Sequence, residues 1–397
     1  MAERRVFGLM GVAAVILMLL GLLNVTTVPV AGQGKTAAAA IKTAWGEPDL
    51  QGIWYQTYQV PLERATRVAD KAVLTEAERK AADEARVAVV GRDKRSDAGT
   101  EKDVAGAYNA VFTTIKPRGE RTSLIIEPAN GRLPATTPEA QKLAKIEADY
   151  RNALLQNTNT CKNKDRGQAC AGWQYGPPSP EWDKFPPFYN TGRLNRHANP
   201  EDGALGDRCM LGINPDFQGF KRIVQTPGGI SMYYDIGQGQ GYQRNVVMNG
   251  TPHLPQSIRQ WWGDSRGHWE GNTLVVDVTN FSPKTSYQGS RENLHLVERW
   301  TRIDKDNLEY IVKIEDPTVW TAPYTVKIDL QLQSNEANRF YTEPRCVEGN
   351  YGLPSLMLGE RLVEAAYAEG RGPHPASLDN TTCDGGEGVD PLGAGGN

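Results

Sequence analysis

The chain has 397 residues, 39% of them hydrophobic, with 44 Lys and Arg against 47 Asp and Glu for a net charge of −3. This is enough apolar material for one large domain or two modest ones. The balanced charge, with no Lys/Arg block, excludes a polyanion-binding field, so nucleic acid is not an expected partner.

Arg4-Arg5 precede an apolar run from Val6 to Leu23, followed by a polar break at Asn24 and small residues at Val30-Ala31-Gly32. A charged start, an apolar stretch and a small-residue site predict a secretory signal peptide over residues 1–32. The alternative is an uncleaved anchor, since about 18 apolar residues is the lower limit for spanning. No other segment of the sequence is apolar enough to span, so the mature chain is expected to have no membrane span.

Export permits disulfides, and five Cys leave one over in a monomer. Cys161 and Cys170 bracket a short polar loop, and Cys209 and Cys346 bracket the strand-rich region, so these two pairs are the expected bridges. Cys383, in a Gly-rich tail, is the expected free thiol. No CxxC or HxxxH spacing suggests a metal, and no cofactor motif appears.

Residues 33–44 read as a linker. Next, Asp49-Leu50-Gln51-Gly52-Ile53-Trp54-Tyr55 contains a G-x-W that resembles the opening of lipocalin-like barrels. Thr75 with Glu78 is a capping box, predicting a helix from about Glu76. Arg121–Glu127 reads as a strand ended by Pro128. Thr137-Pro138 reads as a cap and first helical residue, with Leu143, Ile146, Tyr150 and Leu154 at helical spacing. Cys161 to Pro200 has no period but many aromatics, and reads as ordered loop. Residues 45–202 are thus expected to be a helix- and loop-rich N-terminal part of the same domain as residues 203–369.

From 203 to 369 the pattern becomes strand, turn, strand. Thr226-Pro227-Gly228-Gly229 joins Ile223-Val224 to Ile230–Tyr234, with Pro and Gly where a type II turn prefers them. Gly237 to Tyr242 reads as a flexible loop, without the helix and Lys-Ser/Thr of a phosphate cradle. Arg244–Met248 is the next strand. Gly271-Asn272 is a two-residue hairpin signal. Its register sets Glu270 against Thr273, Trp269 against Leu274, His268 against Val275, Gly267 against Val276 and Arg266 against Asp277. Trp269, Leu274, Val276 and Val278 then share one face, and Arg266, His268, Glu270, Thr273 and Asp277 the other. Leu294–Arg302 and Leu308–Ile314 form another hairpin, Tyr324 to Leu332 alternates cleanly, and Arg339–Thr342 is expected to close the set. Residues 370–397 are Gly-rich and expected to lack order.

Adjacent amphipathic strands with short connections predict a mainly β protein with some α: an antiparallel meander closing into a lipocalin-like barrel, helices packed outside. A two-sheet β-sandwich is the alternative. From Arg121 to about Ala366 the chain also resembles an uncharacterised family of exported bacterial β-rich proteins. The residues carrying this are Arg121–Pro128 with Asn130-Gly131-Arg132, Ile223–Gly228, Asn249-Gly250 with Pro252-His253-Leu254-Pro255, and Trp262–Gly267 with Trp269-Glu270-Gly271. Leu294-His295-Leu296 with Glu298-Arg299, and Glu348–Gly352, complete the match. The resemblance implies export and a β-rich fold and supplies no catalytic residue.

No Ser sits in G-x-S-x-G, and Asp264-Ser265-Arg266-Gly267 lacks the strand-to-helix elbow of a serine hydrolase. His268 falls on the polar face beside an expected Arg266–Asp277 pair, and His295 alternates away from Leu294 and Leu296. His253, in a Pro-flanked loop, is a candidate for a cavity mouth. Glu298 shares parity with Leu294, Leu296 and Trp300, and Arg244 with Val246 and Met248. Each is a charge on an apolar face, and two such charges are expected to meet inside the barrel.

Two functional classes result. In the first, the barrel binds a small apolar or aromatic molecule, lined by Tyr234, Trp262 and Trp300 with Arg244, His253 and Glu298 as polar groups. In the second, it is a cavity hydrolase or isomerase with Glu298 as general acid or base and Arg244 stabilising an anion. A scaffold with a purely structural pair is the third, bland reading.

Overall fold

The computed structural model describes residues 41–90, 116–163, 170, 174–210, 214–217, 219–237, 240–334 and 351–379. Ten strands are present among these residues: β1 (Gly52–Tyr55), β2 (Ile125–Glu127), β3 (Phe220–Thr226), β4 (Gly229–Gly237), β5 (Gln240–Val247), β6 (Asp264–Glu270), β7 (Thr273–Thr279), β8 (His295–Arg302), β9 (Asn307–Glu315) and β10 (Tyr324–Leu332). They follow one another round the sheet in the order β1-β3-β4-β5-β6-β7-β8-β9-β10, and β10 pairs back onto β1. The ring closes as a nine-strand barrel, so the sandwich alternative is not adopted.

Nine strands cannot alternate direction all the way round a ring, so one neighbouring pair must run parallel. That pair is β5–β6, with Val246 opposite Ser265 and Val247 opposite Arg266. The connection between them, residues 248–263, carries Trp262 onto the interior ring Tyr242 and His253 onto the outer face. Every other contact in the ring is antiparallel.

The expected hairpins are present in the expected registers. Glu270 faces Thr273 and Arg266 faces Asp277, with Gly271 at φ 61° in the first position of the turn. Gly228 takes φ 82° in the Pro-Gly turn between β3 and β4. Of the segment read as a flexible loop, Gly237 instead ends β4 and residues 240–242 begin β5, with Gly237 opposite Gln240. Arg339–Thr342, the expected closing strand, lies outside the described residues. The observed closure is made by β1, Trp54 facing Leu332 on one side and Lys221 on the other. This places the G-x-W segment at the seam of the ring. Gly52 has φ 140°, and a Cβ there would overlap Leu332 Cδ1, so glycine is what lets β1 pack against the end of β10.

Alternation then fills the lumen. Trp54, Leu274, Val276, Val278, Leu296, Trp300, Val312, Ile314, Val326 and Ile328 are all fully buried. Leu50 belongs to the same core: Trp54 Nε1 donates to its carbonyl at 2.8 Å, and Gln225 Nε2 donates to the neighbouring Pro48 O at 3.1 Å.

Among the described residues four α-helices stand outside the ring: α1 (Glu76–Val90), α2 (Pro138–Leu154), α3 (Asn159–Asn163) and α4 (Gly352–Ala368). The capping box of α1 is formed, Glu78 N donating to Thr75 Oγ1 at 3.3 Å and Thr75 N to the Glu78 carboxylate at 2.9 Å. Thr137 caps α2 through Ala140 N at 3.1 Å. On α2 only the C-terminal half of the expected apolar stripe is covered: Tyr150 and Leu154 are buried, while Leu143 and Ile146 are each 40% exposed. The covering elements, Leu194 and Trp182, reach only that half.

The strand expected over Arg121–Glu127 is shortened to β2, because Thr122 N bonds to Ala72 O and Leu124 N to Pro61 O, coil partners rather than strand ones. The aromatic loop region is ordered, held by Arg196. Its guanidinium meets Asp202 at 2.7 Å and donates to the Trp182 and Lys184 carbonyls at 2.7 Å each.

Cys161 and Cys170 form a disulfide with Cα atoms 5.6 Å apart. Cys209 is also disulfide-bonded. Cys346, expected as its partner, and Cys383 lie outside the described residues, as do the expected signal peptide and most of the tail. Among the described residues no helix is long and apolar enough to cross a membrane.

Candidate functional site

Arg244 on β5 and Glu298 on β8 point into the lumen and meet there, Arg244 Nη2 donating to Glu298 Oε2. Their side chains are 3% and 0% exposed. The remaining polar valences are filled from neighbouring strands. Tyr310 Oη donates to Glu298 Oε1 at 3.0 Å, and Trp300 Nε1 to Oε2 at 3.3 Å. Arg244 also donates to Tyr234 Oη at 2.8 Å and to Ser265 Oγ at 3.2 Å. A buried charge needs this degree of satisfaction to persist away from water.

Around the pair the walls are aromatic. Trp300 stacks on Tyr310 with ring centroids 4.0 Å apart, Tyr234 on Tyr242 at 4.5 Å, and Tyr242 on Trp262 at 4.8 Å. The second stack runs from the guanidinium to half-buried Trp262 at the barrel end. Tyr234 also lies beneath two cations, Arg244 Cζ at 5.4 Å and Lys221 Nζ at 5.6 Å from its centroid.

Burial opposes the charge on Arg244, but Glu298 and the surrounding phenols outweigh it, holding the guanidinium above its ordinary value. Burial pushes the Tyr242 and Tyr310 hydroxyls well up, keeping both neutral, with Tyr310 the donor to Glu298. Lys221 is lowered by burial and by Arg244, against the pull of Asp216 and Glu298.

Of the residues singled out in the sequence, Arg244, Glu298, Tyr234 and Trp300 come together inside, and Trp262 covers them. His253 does not join them. It lies on the outer face, on the opposite side of the β6–β7 wall, with Nδ1 2.9 Å from Asp264 Oδ2 and Nε2 2.7 Å from Asp277 Oδ1.

There it belongs to a second cluster. Asp277 Oδ2 is 3.0 Å from His295 Nε2, and His295 Nδ1 is 2.7 Å from Glu315 Oε1. Arg266 pairs with Asp264 at 3.0 Å, and Lys313 with Glu315 at 2.9 Å. The expected Arg266–Asp277 pair is therefore not formed, although the two residues are opposite in register. Arg266 bonds instead to the carboxylate two residues back on its own face. His295 holds the Asp277 carboxylate below its usual range, and Asp277 in turn raises the His295 imidazole, with Glu315 adding to this. His268 is exposed and contacts Glu270 at 3.2 Å, as a surface residue would.

Sequence reasoning missed Lys221, Tyr310 and Ser265 inside. Lys221 shares parity with Ile223, so reading β3 two residues earlier would have found it. It missed the outer cluster because its members come from one loop and four strands.

An opening of about 520 Å³ lies at the seam, lined among others by Gln51, Gly52, Ile53, Arg222, Ile223 and Leu332. Comparison with known proteins supplies no analogy: no family model matches the chain, and no curated protein is significantly similar to it.

Proposed function

We propose that the protein is an exported barrel that binds a small apolar or aromatic molecule, with the Arg244–Glu298 pair as its polar anchor. The observation that carries this reading is a charged, hydrogen-bonded pair at the centre of a closed barrel, walled by stacked aromatic rings. That combination of apolar lining and a few oriented polar groups is the general character of small-molecule sites. The pocket of about 520 Å³ beside β1, at the seam, is the entry this reading assigns to the ligand. Export is supported by the N-terminal sequence pattern and by the Cys161–Cys170 bridge.

The enzyme reading has less support. Both oxygens of Glu298 already accept from Arg244, Tyr310 or Trp300, so proton transfer to a substrate would first break these bonds. The scaffold reading is favoured by one observation, the complete burial of Glu298.

Binding of the fluorescent apolar probe N-phenyl-1-naphthylamine separates the two. A ligand-binding barrel gives saturable fluorescence at one probe per chain, lost in the Glu298→Leu, Arg244→Met double variant. A scaffold gives no saturable signal, or one indifferent to the substitutions.

A further inference from the structure

We propose that the molecule this barrel takes is an organic anion, an apolar or aromatic body bearing a carboxylate or sulfonate, and that Lys221 holds the acid group. This rests on the ligand-binding reading and names its ligand class. Lys221 lies on the inner face of β3, 1% exposed, in register with Trp54 on one side and Tyr234 on the other. Burying an ammonium so completely carries a desolvation cost. Methionine would fill a similar volume without that cost, so what the lysine adds to the lumen is positive charge.

That charge is in excess. Glu298 offsets Arg244, with which it is in direct contact, and also accepts from Tyr310 and Trp300. The charged groups acting on Lys221 are Asp216, Arg244 and Glu298, and Asp216 acts on Lys116 as well, which faces Lys221 as a like charge. Among the described residues, Lys116, Lys221 and Arg244 thus stand against Asp216 and Glu298, three cations to two carboxylates. The aromatic wall has the same bias: the Tyr234 centroid lies 5.6 Å from Lys221 Nζ and 5.4 Å from Arg244 Cζ. A cationic ligand beside this ring would be repelled by both groups and an anion attracted by both.

The entry agrees in sign. Among the described residues lining the seam pocket, Arg222 is the charged one and none is acidic. Arg222 and Lys221 are consecutive on β3, the first exposed at the mouth and the second buried behind it. An acid group entering at the seam meets a cation outside and a cation within. Burial and Arg244 disfavour the charge on Lys221, and an anion beside it restores that charge. The preference for an anion therefore holds whether the amine of the empty barrel carries its proton already or takes it up from water on binding.

The test compares two fluorescent probes of one skeleton by titration, the neutral N-phenyl-1-naphthylamine and its sulfonate, 8-anilino-1-naphthalenesulfonate. The unaltered protein should bind the sulfonate about 10-fold or more tightly than the neutral probe, the range expected of a bond to a charged group. Lys221→Met should bring the two affinities within about threefold, whereas Lys221→Arg, which keeps the charge, should retain the preference. Lys305→Met removes a cation 82% exposed on the turn between β8 and β9 and should change neither affinity. Circular dichroism should show each variant folded, and the comparison on the unaltered protein decides the matter for any that is not. Saturable binding of the neutral probe with the sulfonate no tighter, or a preference that survives Lys221→Met, would overturn the anion proposal while the ligand-binding reading stands. Saturable binding of neither probe would overturn that reading and this proposal with it.

Discussion

Removing the charge of Glu298 alone should be worse than removing the whole pair. Glu298→Gln preserves the shape of the side chain but removes the negative charge, leaving the buried Arg244 guanidinium with neutral oxygen acceptors, the new amide and the Tyr234 and Ser265 hydroxyls. Stranding one member of a buried pair costs about 3–5 kcal/mol, because the remaining ion keeps its desolvation penalty without its partner. Glu298→Leu with Arg244→Met removes both ions and retains apolar volume, so its cost should fall well below the sum of the single substitutions. The coupling energy expected is at least about 2 kcal/mol, read from equilibrium urea unfolding of the four proteins by tryptophan fluorescence and circular dichroism. Costs that add to within about 0.5 kcal/mol would refute the reasoning, since residues in contact do not behave independently.

Tyr310→Phe deletes one donor to Glu298 Oε1 and should cost about 1.5–3 kcal/mol in the same assay, the usual range for a bond to a charged group. Gly52→Ala should lower stability by about 1–3 kcal/mol, because alanine must adopt φ 140° and displace Leu332; equal stability would show that the seam does not need glycine. Cys161→Ser with Cys170→Ser opens a loop spanning a sequence separation of 9, worth about 2.5 kcal/mol in the chain-entropy model, and non-reducing peptide mapping should recover the bridged peptides from native protein. Arg196→Met leaves Asp202 buried without its cation and should cost about 3–5 kcal/mol, with the loss in unfolding energy as the readout.

The strand region was largely legible because alternation and turn chemistry act locally. The Gly271-Asn272 signal set the β6–β7 register residue by residue, and parity alone placed Glu298 and Arg244 on inner faces. Their meeting required only that both face one lumen, since neither charge could be buried alone. Parity could not show the Arg266–Asp264 or Asp277–His295 contacts. These depend on same-strand and diagonal neighbours, which a register of directly opposed residues does not rank. The parallel β5–β6 pair was hidden for a different reason: its connection has no period, and the need for it arises only once nine strands must close. Leu143 and Ile146 have helical spacing yet stay exposed, because spacing says which side chains share a face and not how far a covering element extends.

Whether a small molecule is held at the Arg244–Glu298 pair is tested most directly by native mass spectrometry of protein purified from its own host. The expected spectrum contains a species heavier than the polypeptide by one small-molecule mass, released on collisional activation and absent from the Glu298→Leu, Arg244→Met protein. A spectrum of bare polypeptide mass, the same for both proteins, would contradict ligand binding at the pair.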